Sequence, residues 1–117
     1  MSGNEPKYNL EERTFEIAKR ARDYVKVLPK TIANIEYGRQ LIRASGPVGA
    51  NYIEANESLG KKDFCMRIKI SKKESKESAF WLRLTESKTK YLNEQKALIL
   101  EAQELMKIFG AILKKSE

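Results

Sequence analysis

Apolar residues return every three or four positions along nearly the whole chain, which is the period of an amphipathic helix, and breakers divide the pattern into four segments. The first spans about residues 11–28, with Phe15, Ala18, Ala21, Val25 and Leu28 on one face. Pro29 ends it, because a residue before proline avoids helical backbone angles. The second starts at Thr31 or Asn34, either of which can serve as N-cap, and runs to Leu59 with Tyr37, Leu41, Val48, Tyr52, Ala55 and Leu59 on its apolar face. Gly60 closes it. The third, about residues 61–90, carries Phe64, Ile68, Ala79 and Leu82 on one side, with Met66, Ile70, Trp81 and Leu84 widening the arc past half the circumference. The fourth follows a cap at Asn93 and presents Leu98, Ala102, Leu105, Phe109 and Ile112. Its C-terminal Lys107, Lys114 and Lys115 suit the negative end of the helix dipole. With no alternating strand pattern and no internal repeat, the chain is predicted to be all-α: a polar tail over residues 1–10, then one antiparallel up-down-up-down four-helix bundle over residues 11–115.

An apolar arc as wide as that of the third helix needs cover beyond a single bundle seam. A second copy of the chain supplies it in one reading, making a homo-oligomer; a helix buried unusually deep within one bundle supplies it in the other. The second helix holds the other irregularity, Gly46-Pro-Val-Gly-Ala-Asn51. Pro47 lacks the amide that would bond the Arg43 carbonyl, so a kink is expected there. Gln40, Arg43, Asn51 and Glu54 fall on the same side as Pro47 and form a polar strip able to bind a ligand, pair with the third helix or line a subunit contact.

The charge balance changes the picture most. With 117 residues, a formal net charge of +7 and no histidine, the chain favours anionic partners, or uses its charge for solubility alone. On a wheel of 100° per residue, Lys62, Lys69, Lys72, Lys73, Lys76, Arg83 and Lys90 share about a third of a turn of the third helix, with Phe80 at the edge. Such a row can track phosphates; it also suits a solvated face on which Lys73 pairs with Glu77.

Other chemistry is sparse. Glu74 and Glu77 sit in or beside the apolar arc and need cations, for which Arg39 or Arg43 are the natural partners. Glu54, Glu74 and Glu77 also offer oxygens to magnesium, the less usual fate of such groups. A di-iron bundle would require histidines, and the single Cys65 allows neither an internal disulfide nor a thiolate zinc site within one chain. No cofactor, metal or catalytic nucleophile is expected; Ser71, Ser75 and Ser78 mark instead a close helix contact, with Gly46 and Gly49 as candidates to face them. The opening residues lack a signal-peptide pattern and no apolar run approaches a membrane span, so a cytoplasmic protein with no membrane partner is expected.

The segments Arg13-Thr-Phe-Glu-Ile-Ala-Lys-Arg20, Gln40-Leu-Ile-Arg-Ala-Ser-Gly-Pro-Val-Gly-Ala-Asn-Tyr-Ile-Glu-Ala55, Lys62-Asp-Phe64 and Lys73-Glu-Ser-Lys-Glu-Ser-Ala-Phe-Trp-Leu82 closely resemble, in combination and in order, the bacterial four-helix-bundle proteins encoded by intervening sequences of 23S ribosomal RNA genes. The resemblance implies a ring, commonly a homopentamer, and no catalysis. A relative in the same superfamily, the accessory variability protein of diversity-generating retroelements, is a basic ring that binds nucleic acid and a reverse transcriptase; by that likeness RNA or DNA and a reverse transcriptase become candidate partners. The chain departs from the family pattern at Pro47, where serine or threonine is more frequent, and at Gly60, where a serine cap is common. The reading is therefore a non-enzymatic oligomeric bundle that binds RNA or DNA without sequence preference through the third helix. Its alternative is a protein-interaction scaffold docking a partner at the polar strip around Pro47 and Asn51.

Overall fold

Asn9 begins the first helix, its side chain accepting a bond from the Glu12 amide at 3.2 Å, and the computed structural model describes residues 9–117. Helix α1 spans Leu10–Lys26, α2 Ile32–Asn56, α3 Lys61–Leu84 and α4 Leu92–Ser116. Each helix packs on its neighbour in sequence, and α1 closes the ring of contacts against α4, most thinly of the four seams. This is the all-α four-helix bundle that the periodicity predicts. Of the expected polar tail, residues 1–8 lie outside the described residues, while Asn9 and Leu10 belong to α1 as its cap and its first buried residue.

The buried face of α1 is rotated from the expected one. Leu10, Thr14, Ile17, Ala21, Tyr24 and the following Leu28 point inward, whereas Phe15 is 60% exposed. Thr14 takes the inner position because α1 and α2 approach too closely for a large side chain: a Cβ added at Gly49 would lie 2.7 Å from Thr14 Oγ1. The hydroxyl meets no desolvation penalty there, since it donates to the Leu10 carbonyl at 2.7 Å.

Thr31 is the cap of α2, accepting from the Asn34 amide at 3.1 Å. Asn34 has a different task. Its side-chain amide donates to the carbonyls of Pro29 and Glu86, each at 3.0 Å, and its Oδ1 accepts from the Glu86 amide at 2.9 Å, tying the α1–α2 loop to the α3–α4 connection. Helix α2 runs through Pro47 without interruption, so the proline is absorbed within one helix. It ends at Asn56, three residues short of Leu59, which is fully exposed in the connecting turn.

The seam between α2 and α3 is built on small side chains. Ser71, Ser75 and Ser78 are buried; Ser71 Oγ donates across the seam to the Val48 carbonyl at 2.8 Å, and the other two satisfy their hydroxyls on their own helix. The serines mark a close contact as expected, but the glycines are not their partners. Gly49 faces Thr14 on α1, and a Cβ at Gly46 would meet nothing within 4 Å.

Helix α3 stops at Leu84, six residues before the expected end. Thr85 leaves helical geometry with its hydroxyl on the Leu82 carbonyl at 2.7 Å and bonded to the Tyr24 hydroxyl at 2.7 Å; Gln95 Nε2 donates to the Leu82 and Thr85 carbonyls, at 2.9 Å each. Those bonds satisfy carbonyls that a helix end otherwise leaves without a partner. A 3-10 turn over Thr89–Tyr91 leads into α4, so Tyr91 rather than Asn93 holds the cap position.

Candidate nucleic-acid interface

Lys62, Lys69, Lys72, Lys73, Lys76 and Arg83 project from α3 as exposed side chains along about 31 Å of helix. Lys90 does not belong with them: it lies in the 3-10 turn, its Nζ 5.5 Å from the centre of the Tyr91 ring. Phe80, about half exposed, falls between Lys76 and Arg83 along the helix and meets Trp81 edge-on at 5.0 Å. Among the described residues, the ion pairs are Arg13–Glu101, Arg20–Glu94, Arg22–Asp23, Lys26–Asp23 and Arg39–Glu36, and none draws on an α3 cation. The expected Lys73–Glu77 pair is not formed. The acids of α3 thus form no ion pair with the row, and Lys73 alone of its cations is tied by charge to Glu74.

Glu74 and Glu77 are half-buried on the α2 side and find neither Arg39 nor Arg43; Arg39 sits with Glu36 at 4.0 Å. Burial pushes the Glu74 carboxyl above the usual range, the like charge of Glu77 adds to that, and Lys73 only partly offsets it. The polar strip of α2 is not gathered into one site. Asn51 donates to the Pro47 carbonyl at 3.0 Å and accepts from Arg67 Nη1 at 3.1 Å, whereas Gln40 is half-buried, Glu54 is exposed, and Arg43 lines a groove shared with α1. Arg67, the α3 partner of the strip, was not singled out by the sequence pattern, although it falls one turn before Ser71 on the same seam. Its Nε is buried without a hydrogen-bond partner among the described residues. No group of three or more His, Cys, Asp or Glu is placed to hold a metal ion among the described residues, so Glu54, Glu74 and Glu77 do not converge.

The wide apolar arc of α3 is largely covered by its own neighbours: Ile68, Ala79 and Leu82 are buried, Phe64 and Trp81 partly so, the latter stacked on Tyr37 of α2 at 5.9 Å. Met66, Phe80 and Leu84 remain exposed. The broader uncovered apolar surface lies elsewhere. Ile35, Ile42 and Ile53, each 43–46% exposed, run with open Gly46 along one row of α2, with Val25 of α1 beside Ile35 and Ile42. Val25, Leu28, Pro29, Ile35, Gly38 and Ile42 line a groove of about 500 Å³ in this face.

Comparisons with known proteins agree with this architecture. A crystal structure of a protein of unknown function from the S23 ribosomal protein family of Bacteroides thetaiotaomicron matches with a TM-score of 0.76 and 25% identity, over 89% of this chain and 97% of that one. No curated protein matches. No helix among the described residues is long and apolar enough to cross a membrane. The family model described as 23S rRNA-intervening sequence protein matches residues 7–111, nearly the whole bundle, and the chain belongs to that family.

Proposed function

We propose that this protein is a non-enzymatic, cytoplasmic nucleic-acid-binding bundle that holds RNA or DNA by its phosphates along α3 and assembles with copies of itself into a ring. The observation that carries the first half is the row of six exposed cations with no acid paired to any of them among the described residues. Phosphate contacts of this kind position a nucleic acid without reading bases, and each releases counterions. The family's link to ribosomal RNA genes is consistent with this reading.

Self-association finds its support on the opposite side of the molecule. Ile35, Ile42 and Ile53 leave a row of exposed apolar side chains along α2. Gly46 in that row costs helix stability of about 1 kcal/mol relative to alanine while a Cβ there would meet nothing within 4 Å among the described residues, as a close approach by another copy would require. These features favour an interface on α1 and α2 rather than on α3, an arrangement that would leave the cations accessible.

Two substitutions test the two halves. Changing Lys69, Lys72 and Lys76 together to Glu abolishes retention of a mixed-sequence nucleic acid in a mobility-shift titration while the helical signal persists; unchanged retention overturns the binding reading. Gly46→Arg, which the bundle itself accommodates, converts the assembly into single chains by sedimentation velocity; a wild type that already sediments as one chain overturns the ring.

A further inference from the structure

Helix α4 sorts its charges by side. Its acids turn toward α1: Glu94 holds Arg20, Glu101 holds Arg13, and Glu104 acts on Arg13 through its charge. Three of its exposed lysines lie on the other side. Lys96, Lys107 and Lys114 share a helical row with Gly110, and the Cε and Nζ of α3 Lys72 lie 3.6 Å from where a Cβ of Gly110 would stand. The row therefore borders α3.

The register of the two helices follows from two contacts, Lys72 on Gly110 and Gln95 on the carbonyls of Leu82 and Thr85. Antiparallel packing then sets Arg83 near Lys96, Lys73 and Lys76 near Lys107, and Lys69 near Lys114, each within about one turn. Packed helices stand about 8–10 Å apart. The outcome is two cationic rails on one face, joined by a floor that glycine keeps low. By helical position Asp63, Glu74 and Glu77 of α3 fall on the flank of the row away from α4, and among the described residues no acid forms an ion pair with a cation of either rail. The nine cations on the two rails exceed the net charge of +7, which leaves the rest of the chain net acidic.

Resting on the reading given above, we infer that this face is a saddle for a double-stranded nucleic acid, with Lys96, Lys107 and Lys114 as a second set of phosphate contacts alongside those of α3. Two lines of charge can meet the two strands that border a duplex groove, and the 31 Å run of the α3 row is close to one duplex turn of about 34–36 Å. A single strand is usually held by stacking its bases on aromatic rings. Among the described residues of α3 and α4, Phe80 is the one aromatic ring that is at least half exposed.

The test compares a duplex of about 24 base pairs, close to two turns, with one of its strands, chosen unable to self-pair, in fluorescence-anisotropy titrations at one salt concentration. Wild type is expected to bind the duplex at least about tenfold more tightly than the strand. The triple change of Lys96, Lys107 and Lys114 to Glu, and a milder triple change to Gln, both with circular dichroism to verify folding, are expected to erase that preference. Equal or tighter binding of the strand, or an undiminished preference in both variants, overturns the saddle while leaving phosphate binding by α3 intact. Binding of neither probe by wild type overturns both.

Discussion

The α1–α4 seam and the α3 surface carry the same kind of charge and dispose of it in opposite ways. At the seam, Arg13 reaches Glu101 through two bonds of 2.9 and 2.8 Å, and Arg20 reaches Glu94 through two of 3.0 and 2.9 Å; in both, the hydrogen bond to the carboxylate is the main cause that holds the guanidinium above its ordinary pKa. Forked arginine–carboxylate pairs of this geometry reinforce a seam that is otherwise thinly packed. On α3, lysines predominate, and no carboxylate approaches within ion-pair distance among the described residues. The contrast shows that the chain can neutralise cations where structure requires it, so the unpaired row is a property of that face and not of the composition.

The largest expected effect separates the two regions by function. Charge reversal at Lys69, Lys72 and Lys76 lowers nucleic-acid affinity by about 100-fold or more, whereas the thermal midpoint moves little, because exposed charges contribute little to folding. Glu101→Ala should do the reverse: it removes both of Arg13's bonds to that carboxylate, costs about 1–3 kcal/mol of stability in denaturant unfolding, and leaves affinity unchanged. A variant that loses both properties together would erase the distinction.

Two glycines sharpen it within the scaffold. Gly49→Ala is expected to destabilise by about 1–3 kcal/mol, since its Cβ would press on Thr14 at 2.7 Å. Gly46→Ala has open space and should gain up to about 1 kcal/mol in helix propensity when single chains are compared. The smallest effect concerns Glu74. Its carboxyl sits above the ordinary range in the folded state, so the folded chain retains that proton longer than the unfolded one. Stability from this group is therefore full below its unfolded pKa and lost as pH rises through the folded value. Glu74→Gln should flatten that part of the pH profile and raise stability near neutrality, by less than about 1 kcal/mol for a group so accessible to water.

Much of the bundle was legible because long apolar periods dominate helix formation, and the lysine row was legible because a wheel needs no neighbour. What escaped depended on neighbours. Phe15 faces outward and Thr14 inward only because α2 approaches through Gly49. Lys90 left the row because Thr85 and Gln95 end α3 early through bonds to Tyr24 and to the carbonyls of Leu82 and Thr85, none of which periodicity records. The α4 rail was hidden for the same reason: Lys96, Lys107 and Lys114 gain meaning once Lys72 is seen lying on Gly110. Glu74 was expected to find arginine, yet Arg39 and Arg43 point elsewhere and the carboxyl adapts by a raised pKa.

The salt dependence of duplex binding tests the central claim most directly. Anisotropy titrations of the wild-type protein from about 50 to about 300 mM potassium chloride should give a straight fall of log affinity with log salt, with a slope of about −5 if the six α3 cations alone contact phosphates and of about −8 if the three of α4 join them. The triple change of Lys69, Lys72 and Lys76 to Glu should reduce the magnitude of that slope by about 3 or more along with the affinity. A wild-type slope near zero, or the same slope in that variant, would contradict an α3 surface built to hold phosphates.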